Sequence, residues 1–244
     1  MCGRFTLTAE AKELAKRFGV EISASFYKTV APRYNIAPTQ PVVVLADDGQ
    51  RRLMQMRWGL IPSWAKDPAI GNRMINARAE TLTTNPALRV ANRKRRCSIV
   101  ADGFYEWKKT GGAKQPMRIV LKNREPFGFA GLRETWKPPE GEEIKTCIII
   151  TTDANELLKD IHDRMPVILP REKENHWLDP DARPLPNKSS SRLIGYAVGT
   201  QAAPTALTAD VHHNPFGKNK VGDAPTALLS LQAEASRCSR AARG

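Results

Sequence analysis

The sequence predicts a mixed α+β fold in one large domain, and three observations lead there. A length of 244 residues suits a single core, or at most two small ones. With 41% hydrophobic and 26% charged residues, the chain has enough apolar surface to bury and is too apolar to be disordered. Finally, the apolar residues fall mostly into short runs of strand length, with a few stretches at helical spacing.

Taking the elements in order, Thr8 to Phe18 places Ala11, Leu14, Ala15 and Phe18 on one face, with Thr8 as N-cap and Gly19 as the stop. That is a short amphipathic helix. Pro41 to Leu45 and Leu53 to Trp58 flank Asp47-Asp48-Gly49 and read as a hairpin. Further strands are expected at Ser98 to Ala101, Met117 to Leu121, Phe127 to Leu132, Cys147 to Thr151 and Leu193 to Val198, with a turn at Thr110-Gly111-Gly112. Helices are expected at Asn155 to Ile161 and, after Pro170, at Arg171 to Leu178. The tail from Ala233 to Gly244, rich in Ala, Ser and Arg, is expected to be mobile.

Several classes are excluded or disfavoured. Charge breaks every apolar stretch well short of the roughly 18 to 20 residues of a membrane span. The first residues, MCGRFTLTAEAKELAKRFG, lack the apolar region of a secretory signal, so the expected location is the cytoplasm. Cys2, Cys97, Cys147 and Cys238 have no C-x-x-C spacing, which points to reduced thiols and to neither a zinc site nor a redox dithiol. The adjacent His212 and His213 have no third ligand at a recognisable spacing, and His176 is unassigned. The formal net charge is +13. Such an excess attracts a polyanion, nucleic acid first, although a merely solvated basic surface also accounts for it. The densest run, Arg89, Arg93, Lys94, Arg95 and Arg96, stands equally between a phosphate contact and a solvated face.

Cys2 is the first candidate for chemistry. If the initiator methionine is removed, Cys2 carries a free α-amine beside its own thiol. The amine condenses with an aldehyde to an imine, and the thiol then closes a five-membered thiazolidine on the same carbon. An α-amine with a pKa of about 7.7 to 8.0 keeps a neutral fraction at cellular pH that lysine lacks. Ring closure is intramolecular and gains from effective molarity. Alone, a cysteine in second position is more often an incidental residue near a frayed end. Trp58 and Trp107 suit core packing, while Trp64, in the loop-like IPSWAKDP, suits stacking on unpaired bases.

Six segments in order, MCGRF, RYNIAPTQ (33–40), RWGLIPSWA (57–65), NARAET (76–81), ADGFYEW (101–107) and IHDRMPVIL (161–169), together resemble the SOS response-associated peptidase (SRAP) family, also called abasic-site processing proteins. The resemblance runs from Cys2 to about Leu231 and implies one domain over 2–231 with a mainly antiparallel, barrel-like β core flanked by short helices; the basic tail over 232–244, expected to be mobile, has no counterpart in the family. It also implies that Cys2 is the crosslinking residue and that Asn76, Glu106 and His162 are catalytic. Arg4, Arg78 and Arg164 fall on positions that look like DNA-phosphate contacts. Glu106 is suited to moving the proton of the incoming amine, His162 to protonating or orienting the opened sugar, and Asn76 to positioning by hydrogen bonds. Arg133 departs from the family, whose members commonly carry tryptophan there, and the stretch from Gln201 to Val221 is looser than the family's.

The expectation is therefore a monomeric sensor that crosslinks covalently to abasic sites in single-stranded DNA and shields them, with some lyase activity open to the imine and no metal or organic cofactor. The competing expectations are a thiol peptidase or amidohydrolase with Cys2 as nucleophile and His162 as base, able to process its own N-terminus, and a non-catalytic nucleic-acid-binding module.

Overall fold

The structure is a computed structural model that describes residues 2–111, 113–182 and 207–211. Its strands are β1 (Arg4–Leu7), β2 (Arg33–Ile36), β3 (Pro41–Asp47), β4 (Arg51–Trp58), β5 (Asn76–Arg78), β6 (Arg96–Ala101), β7 (Gly103–Thr110), β8 (Ala113–Leu121), β9 (Phe127–Trp136), β10 (Ile144–Asp153), β11 (Arg164–Pro166), β12 (Ile168–Leu169) and β13 (Leu207–Val211). The helices are short: α1 (Ala11–Phe18), α2 (Ala24–Tyr27), α3 (Arg89–Lys94) and α4 (Glu174–Leu178).

Two sheets result. One is antiparallel, in the order β13-β8-β7-β1-β2. In the other, β10 pairs with both β4 and β9, so β10-β4-β3-β6-β9 closes on itself, with β5, β11 and β12 attached. Most of its pairings are antiparallel, but β4 and β5 run parallel to β10. Closure removes edges that would otherwise leave backbone groups unpaired. This is the mainly antiparallel, barrel-like α+β architecture expected above.

The sheets meet through aromatic side chains. Phe5 of β1 lies 5.1 Å from the ring of Trp58 and 5.8 Å from Phe129, and Phe104 of β7 lies 5.8 Å from Phe129. Tilted and edge-to-face contacts of this kind add to the burial of the rings. Trp58 is fully buried and donates from Nε1 to the carbonyl of Ile75 at 2.9 Å, a core role as expected.

The hairpin β3–β4, the strands around 98–101, 117–121, 127–132 and 147–151, and α4 after a 3₁₀ turn at Arg171–Lys173 all form where the sequence places them. Gly19 ends α1 at φ 63, the left-handed conformation glycine tolerates best. Two expectations are corrected. Thr8 is not the cap of α1. Glu10 stands there, and Thr8 bonds Asp102 instead. Nor do residues 155–161 form a helix. The carbonyl of Asn155 accepts from Leu158 N and Lys159 N, and that of Leu158 from Ile161 N and His162 N, so the chain makes two forked turns in place of a continuing ladder. The strand expected at 193–198 and the tail lie outside the described residues.

Candidate active site

Asp102 anchors the strand that carries Cys2. Its Oδ1 accepts from Thr6 Oγ1 at 2.5 Å and from Arg118 Nη2 at 3.3 Å, and its Oδ2 accepts from Thr8 Oγ1 at 2.6 Å, from Ala9 N at 3.2 Å and from Thr8 N. A carboxylate bonded so fully pins β1 beside the start of β7. The next residue is glycine, and a Cβ there would come within 2.8 Å of Arg118 Nε and 3.0 Å of Thr6 Oγ1, so a larger residue would have to push these side chains aside. The pairing Thr6↔Gly103, Phe5↔Phe104, Arg4↔Tyr105 then leads the chain toward Glu106.

Cys2 is fully buried, and its carbonyl accepts a 2.9 Å hydrogen bond from Asn76 Nδ2. Asn76 opens β5, whose parallel pairing with β10 sets it opposite Ile149. Its Oδ1 is buried and has no partner among the described residues. The Cys2 thiol donates weakly to the carbonyl of Arg4 at 3.9 Å. Burial, reinforced by the charge of Glu106, pushes that thiol well above its ordinary range, so it is held protonated. Glu106 is only 1% exposed. Burial, with the negative charge of Asp163 adding to it, pushes its carboxyl up to about 7. A carboxyl titrating there can both take and return a proton at neutral pH.

His162 follows the forked turns between β10 and β11. Burial holds its imidazole below the ordinary value. Its Nδ1 lies 3.0 Å from the amide of Arg164 and 2.8 Å from Asp163 Oδ1. One nitrogen cannot accept from the first and donate to the second at once, so these are contacts of different protonation states. The neutral ring accepts from the amide, and the imidazolium donates to Asp163. The influence of Asp163 on Glu106 places this turn within electrostatic reach of the Cys2 cluster.

The arginines differ in freedom. Arg78 is exposed and makes no side-chain hydrogen bond or ion pair with any described residue, though its charge helps to lower the Glu80 carboxyl. Arg4 is half-buried and donates to the carbonyl of Gly3 at 3.0 Å. Both terminal nitrogens of Arg164 are engaged: Nη1 donates to Glu80 at 2.9 Å and Asp153 at 2.7 Å, Nη2 to Glu80 at 3.0 Å and the carbonyl of Thr151 at 2.9 Å. The ring of contacts ties the β5 loop to β10 and β11. Trp64 is 64% exposed in the loop after β4, with no hydrogen bond or ring contact joining it to the cluster. The structure thus gathers Cys2, Asn76 and Glu106, sets His162 nearby, and leaves Trp64 on the surface. Sequence reasoning missed Asp102 and Glu80, although both lie inside quoted motifs, ADGFYEW and NARAET.

Cys97 and Cys147 are fully buried on β6 and β10, as their apolar surroundings suggest, and Arg133 donates from Nη2 to the carbonyl of Asp47 at 2.9 Å. Cys238, His212 and His213 lie outside the described residues. Among the described residues no group of three or more His, Cys, Asp or Glu forms a metal site, and no helix is long and apolar enough to cross a membrane.

Fold and site together define an α+β protein that sets a buried cysteine at position 2 against an amide and a carboxyl of raised pKa. A family model for SOS response associated peptidase (SRAP) matches residues 1–211, and the chain belongs to that family. It is 51% identical over 184 residues to the abasic site processing protein YoqW of Bacillus subtilis (strain 168), covering 74% of this chain and 81% of that protein. To YedK of Escherichia coli (strain K12), also called an abasic site processing protein, it is 34% identical over 182 residues, or 73% and 79% of the two chains. A crystal structure of a protein from Bacteroides thetaiotaomicron superposes with a TM-score of 0.76 at 27% identity, covering 91% of this chain and 97% of the other.

Proposed function

We propose that this protein processes abasic sites by capturing them covalently in single-stranded DNA through Cys2. The names of its relatives support the coarse reading. The finer one rests on a single observation: Cys2 is buried with its carbonyl held by Asn76, next to a glutamic acid whose carboxyl titrates at about 7. Once Met1 is removed, the α-amine attacks the aldehyde carbon of the ring-opened sugar. Glu106 relays the proton from nitrogen to the departing oxygen, water leaves, and an imine forms. The thiol adds to the imine carbon, its proton passing to nitrogen, and the thiazolidine closes. The net change is the loss of one water.

The state of the thiol favours this order over a peptidase. A cysteine nucleophile needs thiolate, generated beside a cation or an imidazole. Here burial and Glu106 both keep the sulfur protonated, which suits a thiol that acts second, on an imine already formed on the same residue. To His162, kept neutral near pH 7 by burial, we assign orienting the sugar or exchanging a proton with its ring oxygen. We assign Arg4 and Arg78 to the phosphates and Trp64 to stacking on an unpaired base. Arg164 joins them only if a phosphate displaces Asp153, whose side chain is 86% exposed and the easier of its two carboxylates to give up. We take the protein to act as a cytoplasmic monomer without a cofactor.

Intact-mass spectrometry before and after mixing with an oligonucleotide bearing one abasic site tests the reading. The expected protein mass lacks one methionine residue, and the expected adduct is the sum of protein and oligonucleotide less one water. A chain that retains Met1, or carries any residue ahead of Cys2, is expected to give no adduct. An adduct of normal yield from such a blocked chain refutes the mechanism.

A further inference from the structure

The basic run at 89–96, which the sequence leaves undecided, divides by its partners. Arg96 is 4% exposed, and its guanidinium donates to the carbonyls of Trp177 at 2.7 Å, Asn92 at 2.9 Å, Arg93 and Ala182 at 3.2 Å, and Asp179. It is an internal strut between α3 and the chain after α4. Arg95 pairs with Glu134 at 2.6 Å, and Lys94 with Asp181 at 3.4 Å. Arg89 and Arg93 remain. They are exposed, stand one turn apart on α3, and make no hydrogen bond or ion pair through their side chains with described residues.

Beside them on the same helix, three positions after Arg89, is Asn92. It is 1% exposed, and neither its Nδ2 nor its Oδ1 has a partner among the described residues. Arg89, Asn92 and Arg93 line a cavity of about 470 Å³ together with Thr83 and Val90, whose side chain is half exposed. A buried carboxamide with both functions unmet is costly, and an apolar residue of the same shape would serve packing better. The position therefore calls for a ligand offering a donor and an acceptor side by side, as a nucleobase edge does. Two guanidiniums one turn apart call for an oxyanion, phosphate above all.

We propose that this cavity binds a nucleotide, with its phosphate on Arg89 and Arg93, its base edge on Asn92 and Val90 against the base. The volume lies within the usual range of small-ligand sites, about 300 to 1,000 Å³. No aldehyde and no part of the Cys2 cluster takes part, so the site stands whether or not the crosslink forms. The nucleotide comes either from a bound strand or from the free pool.

Titrations of the full chain with deoxyadenosine monophosphate, thymidine monophosphate, inorganic phosphate and an intact oligonucleotide test the proposal, using wild type, the double variant Arg89→Ala/Arg93→Ala, and Asn92→Leu. At least one nucleotide probe is expected to bind wild type at least about tenfold more tightly than inorganic phosphate. The double variant is expected to lose about tenfold or more for that probe. Asn92→Leu is expected to lose the advantage over inorganic phosphate, without changing the salt dependence of oligonucleotide binding. The arginines are exposed and have no ion pair among the described residues, so the double variant remains decisive if Asn92→Leu does not fold. Effects on the monophosphates assign a free nucleotide, and effects on the oligonucleotide alone assign a strand. Binding of every probe unaltered in the double variant, a loss that spares a folded Asn92→Leu, or phosphate bound as tightly as every nucleotide probe, the oligonucleotide included, overturns the assignment.

Discussion

Replacing Glu106 by glutamine is expected to make the protein more stable at alkaline pH and less able to crosslink. The folded chain holds this carboxyl at about 7, against 4.5 for an ordinary glutamate, first because it is buried and then because Asp163 adds a like charge. Below pH 4.5 the group is neutral in both folded and unfolded chains, so its charge contributes nothing. Between 4.5 and about 7 the unfolded chain ionises first, and folding loses ground as the pH rises. Above that window the penalty is complete. At about 1.36 kcal/mol per pH unit it amounts to at most about 3 kcal/mol. Glutamine keeps the shape and removes the charge. Urea unfolding is therefore expected to give equal stabilities at pH 4.5 and a gain at pH 8 that approaches this bound. The same variant is expected to crosslink abasic single-stranded DNA about 10²- to 10⁴-fold more slowly, the usual worth of a positioned acid-base group. A variant no more stable at pH 8 than wild type, or a gain that ignores pH, refutes the buried-carboxyl argument. An unchanged crosslinking rate refutes its catalytic part.

Three further outcomes follow from the geometry. Cys2→Ser keeps the α-amine, so borohydride is expected to trap its imine with abasic DNA, while little complex survives heating without reductant. A heat-stable product at the wild-type rate contradicts the thiazolidine step. Arg78→Ala is expected to flatten the dependence of log affinity on log salt by less than one phosphate contact, each worth a slope of about −0.7 on single strands, and an unchanged slope removes Arg78 from the interface. Asp102→Ala leaves Thr6, Thr8, Ala9 and Arg118 without their shared acceptor and is expected to cost about 3 to 5 kcal/mol in urea unfolding. A loss under about 1 kcal/mol shows that β1 is held by other means.

The sequence by itself determined the local elements whose signals are local. Alternation and the Asp-Gly turn placed the β3–β4 hairpin, and helical spacing with Gly19 placed the end of α1. It failed where the deciding partner was distant. Thr8 reads as a cap, yet the carboxylate that claims it is 94 residues away. The segment 155–161 has helical composition, but forked hydrogen bonds to Asn155 and Leu158 close it as turns. The ordered motifs marked Cys2, Asn76, Glu106 and His162 as belonging to one family pattern. Only the tertiary structure decided their physical states, because burial and neighbouring charge are properties of packing: a protonated thiol at Cys2, a carboxyl near 7 at Glu106, an Asn76 amide spent on a backbone carbonyl. The arginines show the same division. In the sequence, 89, 93, 95 and 96 are equivalent positive charges, and the family motif marks 164 as a phosphate contact. In the fold, Arg164 sits among carboxylates and the carbonyl of Thr151, Arg95 is paired with Glu134, Arg96 is spent on carbonyls, and Arg89 and Arg93 stay open to a ligand, since a charge is available for binding only where no internal acceptor has already taken its hydrogens.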